Sequence, residues 1–271
     1  MLANEDRMNH KQLLSHLAAG ELQHAMAYDV SRLTNWTMLG PDPVPHPEVQ
    51  REVFSKFFRR WNCVFDASDE EVTEAYRDTA WIVAATTLHK YGFSTRECTD
   101  RALKAIDKLN GHVALSDYFF AHSEQAKNLL RSAPTPLKRR PPVPKHVTFF
   151  RKGDVVAYRL DGSYYVCYIQ DIHRCNAAPL VEFFNVKLDR PPTITDITGA
   201  PAVGGVYNDG IRRIEMYWVY GMRGIPDPAN QFKLVQASWN TPPLQDHLAP
   251  PVGGGSAIDI FRLQDAVDRA F

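Results

Sequence analysis

The sequence predicts an α+β protein: a helical N-terminal domain, then a small twisted antiparallel β-sheet or partly open barrel with a C-terminal helix. Three observations support this fold class. Apolar residues recur at helical spacing behind N-cap signals up to residue 132. Residues 153–188 instead show strand-like alternation and a tight turn at 161–162. Between these two regions lie five prolines, which indicate extended backbone.

The domain organisation follows from these changes in composition. Residues 1–132 are expected to form the helical domain, and residues 133–146 a proline-rich linker. Residues 147–250 are expected to form an antiparallel β-module. Residues 251–271 are expected to form a glycine-rich tether followed by the C-terminal helix.

Helix starts are predicted from capping residues. Asn9 and Ser116 are expected to be N-caps, and Pro47 is expected in a first helical turn, where its missing N–H is not needed. Ser-Asp-Glu-Glu at 68–71 and Ser-Thr-Arg-Glu at 94–97 match the capping box. Together with the apolar stripes, these signals predict about six helices before residue 133.

The first three strands are predicted from alternation and turn chemistry. Asp161-Gly162 favours a type I′ turn, because both residues tolerate positive φ. The turn is expected to join strands at 155–160 and 163–169. A third strand at 180–188 has one apolar face, on which Glu182 is the exception.

The rest of the β-module is predicted from weaker patterns. Alternation at 211–220 predicts one further strand, and 232–235 a last short one. Ser256 is expected to cap the final amphipathic helix.

Composition and charge limit the classes of protein to which this chain can belong. The formal net charge is zero and the pI is near 7.1, so no overall field attracts nucleic acid or an anionic membrane. No membrane span and no secretory signal are expected. Four widely spaced cysteines are expected to be buried free thiols in a reducing cytoplasm. The basic residues between 138 and 152 are interpreted as a solvated hinge, so nucleic-acid binding is not favoured.

No motif in the sequence indicates a catalytic residue, a cofactor or a metal. Neither H-E-x-x-H nor a Cys/His quartet at zinc spacing is present, and His173-Arg174-Cys175 is interpreted as a solvated loop. Gly253-Gly254-Gly255-Ser256 is interpreted as a tether that ends in an N-cap. The protein is therefore expected not to be an enzyme. An enzyme with an active site between the domains stays open as a third hypothesis.

Aromatic residues provide the candidate binding site. Tyrosines alternate to both faces of the hairpin at 158–168, so some are expected to face away from the core. Tyr164, Tyr168, Arg213 and Tyr217 are predicted as outward-facing contact residues. The alternative is that the helical half covers the second face and buries the tyrosines.

Three segments carry a resemblance to a known family. Gly153-Asp154-Val155, Asp161-Gly162-Ser163-Tyr164-Tyr165 and Pro179-Leu180-Val181-Glu182-Phe183-Phe184 resemble the immunity protein 26 family of bacterial polymorphic-toxin systems. The resemblance covers roughly 40 to 80 residues of the second half. It implies a protein that binds a cognate toxin and neutralises it by steric blockade in the cytoplasm, with no catalytic residues.

The same segments also resemble Tudor and SH3-like barrels. This second resemblance implies a binding adaptor for peptide or nucleic acid. Its aromatic pocket would consist of Tyr158, Tyr165 and Phe183.

Overall fold

A computed structural model describes residues 8–39, 46–112, 115–143 and 145–271. It has the predicted α+β class, with most helices in the N-terminal half and a mixed sheet plus a C-terminal helix in the other half. The chain divides into two compact units. The helical unit is Met1–Phe58 with Val64–Pro144, and the sheet unit is Arg59–Cys63 with Lys145–Phe271. That residues 1–132 and 147–250 fold as separate domains stays a prediction.

Seven helices lie in the described residues before the sheet. They are α1 (His10–Ser15), α2 (Gly20–Thr37), α3 (His46–Phe65), α4 (Glu74–Lys90), α5 (Arg96–Gly111), α6 (Asp117–Ala121) and α7 (Ser123–Arg131). The predicted N-caps Asn9 and Ser116 are confirmed, because their side chains accept hydrogen bonds from Gln12 N and Phe119 N. Pro47 lies in the first turn of α3, as predicted.

Both predicted capping boxes are displaced toward the C-terminus. Helix α4 begins after Thr73, whose hydroxyl accepts from Tyr76 N, and residues 68–72 form a turn before it. Helix α5 begins after Thr95, whose hydroxyl accepts from Cys98 N. The prediction of Ser68 and Ser94 as caps was therefore wrong, since a threonine nearer each helix provides the hydroxyl instead.

The proline-rich segment is bound along the helices of its own unit. Thr135 N donates to His89 O over 3.0 Å. Ser31 Oγ donates to Pro142 O over 2.8 Å, and Asn35 Nδ2 donates to Pro141 O over 2.6 Å. Proline carbonyls need external donors in extended backbone, and these α2 side chains supply them.

Two histidines link α1 to α4 and to the segment after α7. His10 Nε2 lies 2.8 Å from His89 Nδ1, and His89 Nε2 lies 3.0 Å from Ser132 O. Because Ser132 O can only accept, His89 carries its proton on Nε2, and His10 then donates to His89 Nδ1. Burial, followed by the neighbouring His89 and Lys90, lowers the pKa of His10 from 6.5 to about 4.

The helical unit is therefore expected to lose stability as the pH falls from 6.5 toward 4. In this window the unfolded chain binds a proton at His10 that the folded chain excludes, so the free energy of unfolding decreases on acidification. Urea denaturation at several pH values gives the free energy of unfolding as a function of pH. The slope of this dependence should be smaller for His10→Asn than for the wild type. His24→Asn, an exposed position on α2, is the control. Equal slopes for wild type and His10→Asn would contradict the assignment.

The sheet unit contains eight short strands and two helices in its described residues. They are β1 (Val155–Leu160), β2 (Ser163–Ile172), β3 (Pro179–Leu188), α8 (Ile194–Ile197), β4 (Gly205–Val206), β5 (Arg212–Arg213), β6 (Tyr217–Tyr220), β7 (Phe232–Gln236), β8 (Ser256–Asp259) and α9 (Ile260–Ala270). Six form one sheet in the order β7-β1-β2-β3-β6-β8, and β4 pairs with β5 separately. The predicted turn is confirmed, with φ of 49° at Asp161 and 80° at Gly162.

Two details of the predicted β-module were wrong. The single strand at 211–220 is split into β5 and β6, because Ile214 N turns to donate to Ala249 O. Ser256 does not cap the last helix: it begins β8, which pairs with β6 in parallel, and the cap is Asp259. The other pairings in the large sheet are antiparallel, as predicted.

A buried ion pair organises the loop before β7. Arg60 Nη2 lies 2.7 Å from Asp227 Oδ1, and the two side chains are 7% and 5% exposed. Asp227 Oδ2 also accepts from the backbone N–H groups of Gln231 and Phe232. One carboxylate therefore satisfies both a buried cation and the turn that leads into β7.

Candidate contact surface

The predicted contact tyrosines are buried. Tyr164 is 3% exposed, and Tyr168 and Tyr217 are each 6% exposed. Tyr168 lies in a core cluster and donates its hydroxyl hydrogen to Trp239 O over 3.0 Å, while the Arg159 guanidinium lies 5.4 Å from the centre of the Tyr164 ring. The prediction that these tyrosines face outward was wrong: consecutive β2 residues from Tyr164 to Ile169 are all buried, so both faces of this part of the strand are covered.

Arg213 lies four residues before Tyr217 but in a different sheet. It belongs to β5 in the small sheet, whereas Tyr217 belongs to β6 in the large one. Arg213 Nη2 lies 2.6 Å from Asp209 Oδ2, and its guanidinium lies 5.8 Å from the centre of the Tyr207 ring. A half-buried arginine with these partners is a structural element of the β4–β5 hairpin.

The aromatic residues of the expected barrel pocket do come together. Ring centres of Tyr158 and Phe183 are 6.4 Å apart, and those of Tyr158 and Tyr165 are 6.5 Å apart. All three side chains are buried, and the Phe271 ring that follows α9 lies 4.7 Å from Tyr165 and 6.1 Å from Phe183. The expectation of an open pocket here was wrong, because Phe271 packs onto two of its members.

Among the described residues of the sheet unit, the aromatic side chain with the largest exposed fraction is Phe149, which lies before β1. Phe149 is 73% exposed, Val147 50% and Ile225 42%. Thr148 and Phe150 alternate with them and are buried, which is the pattern of an extended chain with one face to solvent. We call Val147, Phe149 and Ile225 the Phe149 surface.

Short hydrogen bonds hold the backbone of this surface. Thr148 N donates to Asn176 O, and Phe149 N donates to Arg223 O, each over 2.6 Å. The Phe149 ring lies against Gly224, where a Cβ atom would be only 3.1 Å from Phe149 Cδ2. Segments 147–150, 173–176 and 223–225 are thereby brought to one place, although they are far apart in the sequence.

The loop between β2 and β3 borders the Phe149 surface. His173 Nδ1 lies 3.0 Å from Cys175 Sγ in this loop. The expectation of a buried thiol was wrong for Cys175, which is exposed, whereas Cys63, Cys98 and Cys167 are buried. Arg174 is exposed in this loop, and Lys145 is exposed two residues before Val147. These two exposed basic residues therefore lie in segments that form or border the Phe149 surface.

Glu182 is a buried carboxylate with neutral partners. Gln245 Nε2 donates to its two oxygens over 2.8 and 3.0 Å, and Gln170 Nε2 donates to Oε2. Burial raises the pKa of Glu182 above 4.5, and the hydrogen bonds from Gln170 and Gln245 oppose this rise. The exception on the apolar face of β3 is thus a polar group satisfied within the core.

The structure also bears on metal binding and on membrane spans. Among the described residues, no group of three or more His, Cys, Asp or Glu side chains is placed to hold a metal ion. No helix in the described ranges combines the length and apolarity needed to cross a membrane.

Comparisons of the chain with protein-family models, curated proteins and solved structures found no match. Reasoning from the sequence missed the Phe149 surface. The available signal was Val147-Thr148-Phe149-Phe150, a run with three apolar residues between the last proline of the linker and Gly153.

Proposed function

We propose that this protein binds a partner protein through the Phe149 surface and neutralises it by steric blockade, as a cytoplasmic immunity protein would neutralise a toxin. The activity proposed is binding rather than catalysis. The observation that supports it is the phenylalanine ring held in solvent on a hydrogen-bonded backbone. The toxin as partner comes from the family resemblance of residues 153–184.

The energetics of the Phe149 surface favour a contact role. A large exposed ring contributes little to folding but buries much apolar area when a partner covers it. Aromatic anchors at the centre of a contact carry most of the binding energy in protein interfaces. Because Phe149 is already fixed by its bond to Arg223 O and by Gly224, little ordering is needed on binding.

The charges beside the surface indicate the chemistry of the partner. Lys145 and Arg174 are exposed and basic. A complementary surface would have an apolar centre and an acidic rim, which speeds encounter and excludes basic competitors. We therefore propose a partner with acidic residues around an apolar depression.

Replacing Phe149 by aspartate is expected to weaken partner binding by roughly thirtyfold, since a central aromatic anchor contributes about 2 kcal/mol. Binding is measured by calorimetry with toxins encoded beside the gene, and neutralisation by growth of cells that express the toxin. Val206→Asp is the matched control, because Val206 is a similarly exposed apolar residue on β4.

Equal losses for Phe149→Asp and Val206→Asp would show that the Phe149 surface is not the contact. Salt-sensitive capture of nucleic acid in place of a protein would overturn the toxin proposal and favour the adaptor interpretation.

A further inference from the structure

The β2–β3 loop contains a thiol and an imidazole at hydrogen-bonding distance. His173 Nδ1 and Cys175 Sγ are 3.0 Å apart, and Cys175 is exposed. When His173 carries its proton on Nε2, Nδ1 accepts the thiol proton. A nucleophile and a base within reach of each other, with solvent access to the sulfur, form the arrangement that activates cysteines.

The base is positioned by contacts outside the loop. The His173 ring makes an edge-to-face contact with Trp218, with ring centres 5.6 Å apart, and lies 6.3 Å from Tyr220. Trp218 is itself fixed, because its Nε1 donates to Gly254 O over 2.8 Å. His173 N donates to Ala178 O, which ties the histidine to the start of β3. The imidazole is therefore held beside the sulfur by both its ring and its backbone.

The other three cysteines are buried, in contrast to Cys175. Burial raises the pKa of the Cys63 thiol and of the Cys98 thiol to about 12, and raises that of Cys167 as well. Cys167 Sγ lies 3.5 Å from Val156 O inside the sheet. These thiols are protected by the core, so reactivity at Cys175 can be measured in the native protein without interference.

We propose that Cys175 and His173 form a reactive thiol site that exchanges with low-molecular-weight disulfides. The site does not depend on the proposed toxin partner, because the reaction needs only the small disulfide.

The exchange balances without a further oxidant. His173 Nδ1 takes the proton from Cys175, and the sulfur attacks one sulfur atom of the disulfide. The disulfide bond breaks as the new sulfur–sulfur bond forms, and the other half leaves as a thiolate. That thiolate takes the proton from His173, so the products are a mixed disulfide at Cys175 and one small thiol.

The test uses the reduced full-length protein and the neutral aromatic disulfide dithiodipyridine at pH 7. One thiol per chain should react in a fast phase, and Cys175→Ser should abolish that phase. His173→Asn should slow the fast phase roughly tenfold, because Cys175 then loses the base that takes the thiol proton. Mass spectrometry of the adduct should place it on the peptide that contains Cys175.

Arg174→Gln is the matched control, because it changes the same exposed loop and leaves both partners in place. It should keep the fast phase within about twofold, since water and salt screen the charge of an exposed side chain. The proposal fails if His173→Asn reacts as fast as the wild type, or if the fast phase persists in Cys175→Ser. It also fails if native Cys175 reacts no faster than a peptide of residues 171–178.

Discussion

Asp227→Ala is expected to lower the free energy of unfolding by about 3–5 kcal/mol, the usual cost of removing one partner from a buried ion pair. Water reaches little of the Arg60 side chain, which is only 7% exposed. Gln231 Oε1, a neutral acceptor, lies 2.9 Å from Arg60 Nη1. The guanidinium also lies 5.8 Å from the centre of the Phe232 ring. The variant therefore removes the carboxylate charge that balances a largely buried cation.

The same variant also removes acceptors from the loop before β7. Asp227 Oδ2 accepts from Gln231 N over 3.2 Å and from Phe232 N over 3.1 Å. Backbone groups that lose their acceptor inside a protein add to the cost. Loss of the pair and loss of the loop bonds act in the same direction.

Urea denaturation followed by fluorescence and circular dichroism measures this effect. Asp209→Ala is the control, since it breaks the Arg213–Asp209 pair at an exposed carboxylate and should cost much less, because exposed ion pairs contribute little to stability. The double variant Arg60→Met with Asp227→Leu should be more stable than Asp227→Ala, because no buried charge is left unpaired. A loss for Asp227→Ala as small as that for Asp209→Ala would refute the structural role of the pair.

Gly92→Ala is expected to cost roughly 3 kcal/mol of folding stability, from a left-handed backbone and a steric clash together. Gly92 follows α4 with φ of 91°, a conformation that L-residues rarely adopt. A Cβ atom there would lie 2.8 Å from Thr135 O and 3.2 Å from Leu137 N, which are backbone atoms of the proline-rich segment. This segment could move away only by giving up the Thr135 N–H bond to His89 O.

Gly111→Ala provides the matched comparison. Gly111 ends α5, and its added Cβ would have no neighbour within 4 Å. Alanine there should raise stability by about 0.5 kcal/mol, because it favours the helix over the unfolded chain. The midpoint of thermal unfolding should therefore fall for Gly92→Ala and rise for Gly111→Ala. Similar midpoints would mean that the segment after α7 is not packed against Gly92.

Local chemistry accounts for the parts of the fold that the sequence predicts correctly. The turn at Asp161-Gly162 needs only two residues that tolerate positive φ, and both are adjacent in the chain. The caps at Asn9 and Ser116 likewise depend on atoms within three residues. Such features do not depend on contacts with segments that are distant in the sequence.

Features that depend on distant segments could not be predicted in this way. Alternation at 211–220 cannot show that Ala249 takes the hydrogen bond of Ile214 and splits the strand. Alternation along the strand that contains Tyr164 and Tyr168 likewise shows that the strand has two faces. It does not show whether both faces are covered. The Phe149 surface depends on Arg223 and Asn176, which only the folded chain brings together.

Mild acid has opposite effects at two groups of this molecule, the half-buried His10 and the buried Glu182. His10, in the helical unit, excludes a proton that the unfolded chain takes up below pH 6.5. Glu182, in the sheet unit, holds its proton above the ordinary value of 4.5, so its folded form gains from protonation. Mild acid therefore acts in opposite directions at these two groups: it lowers stability through His10 and raises it through Glu182.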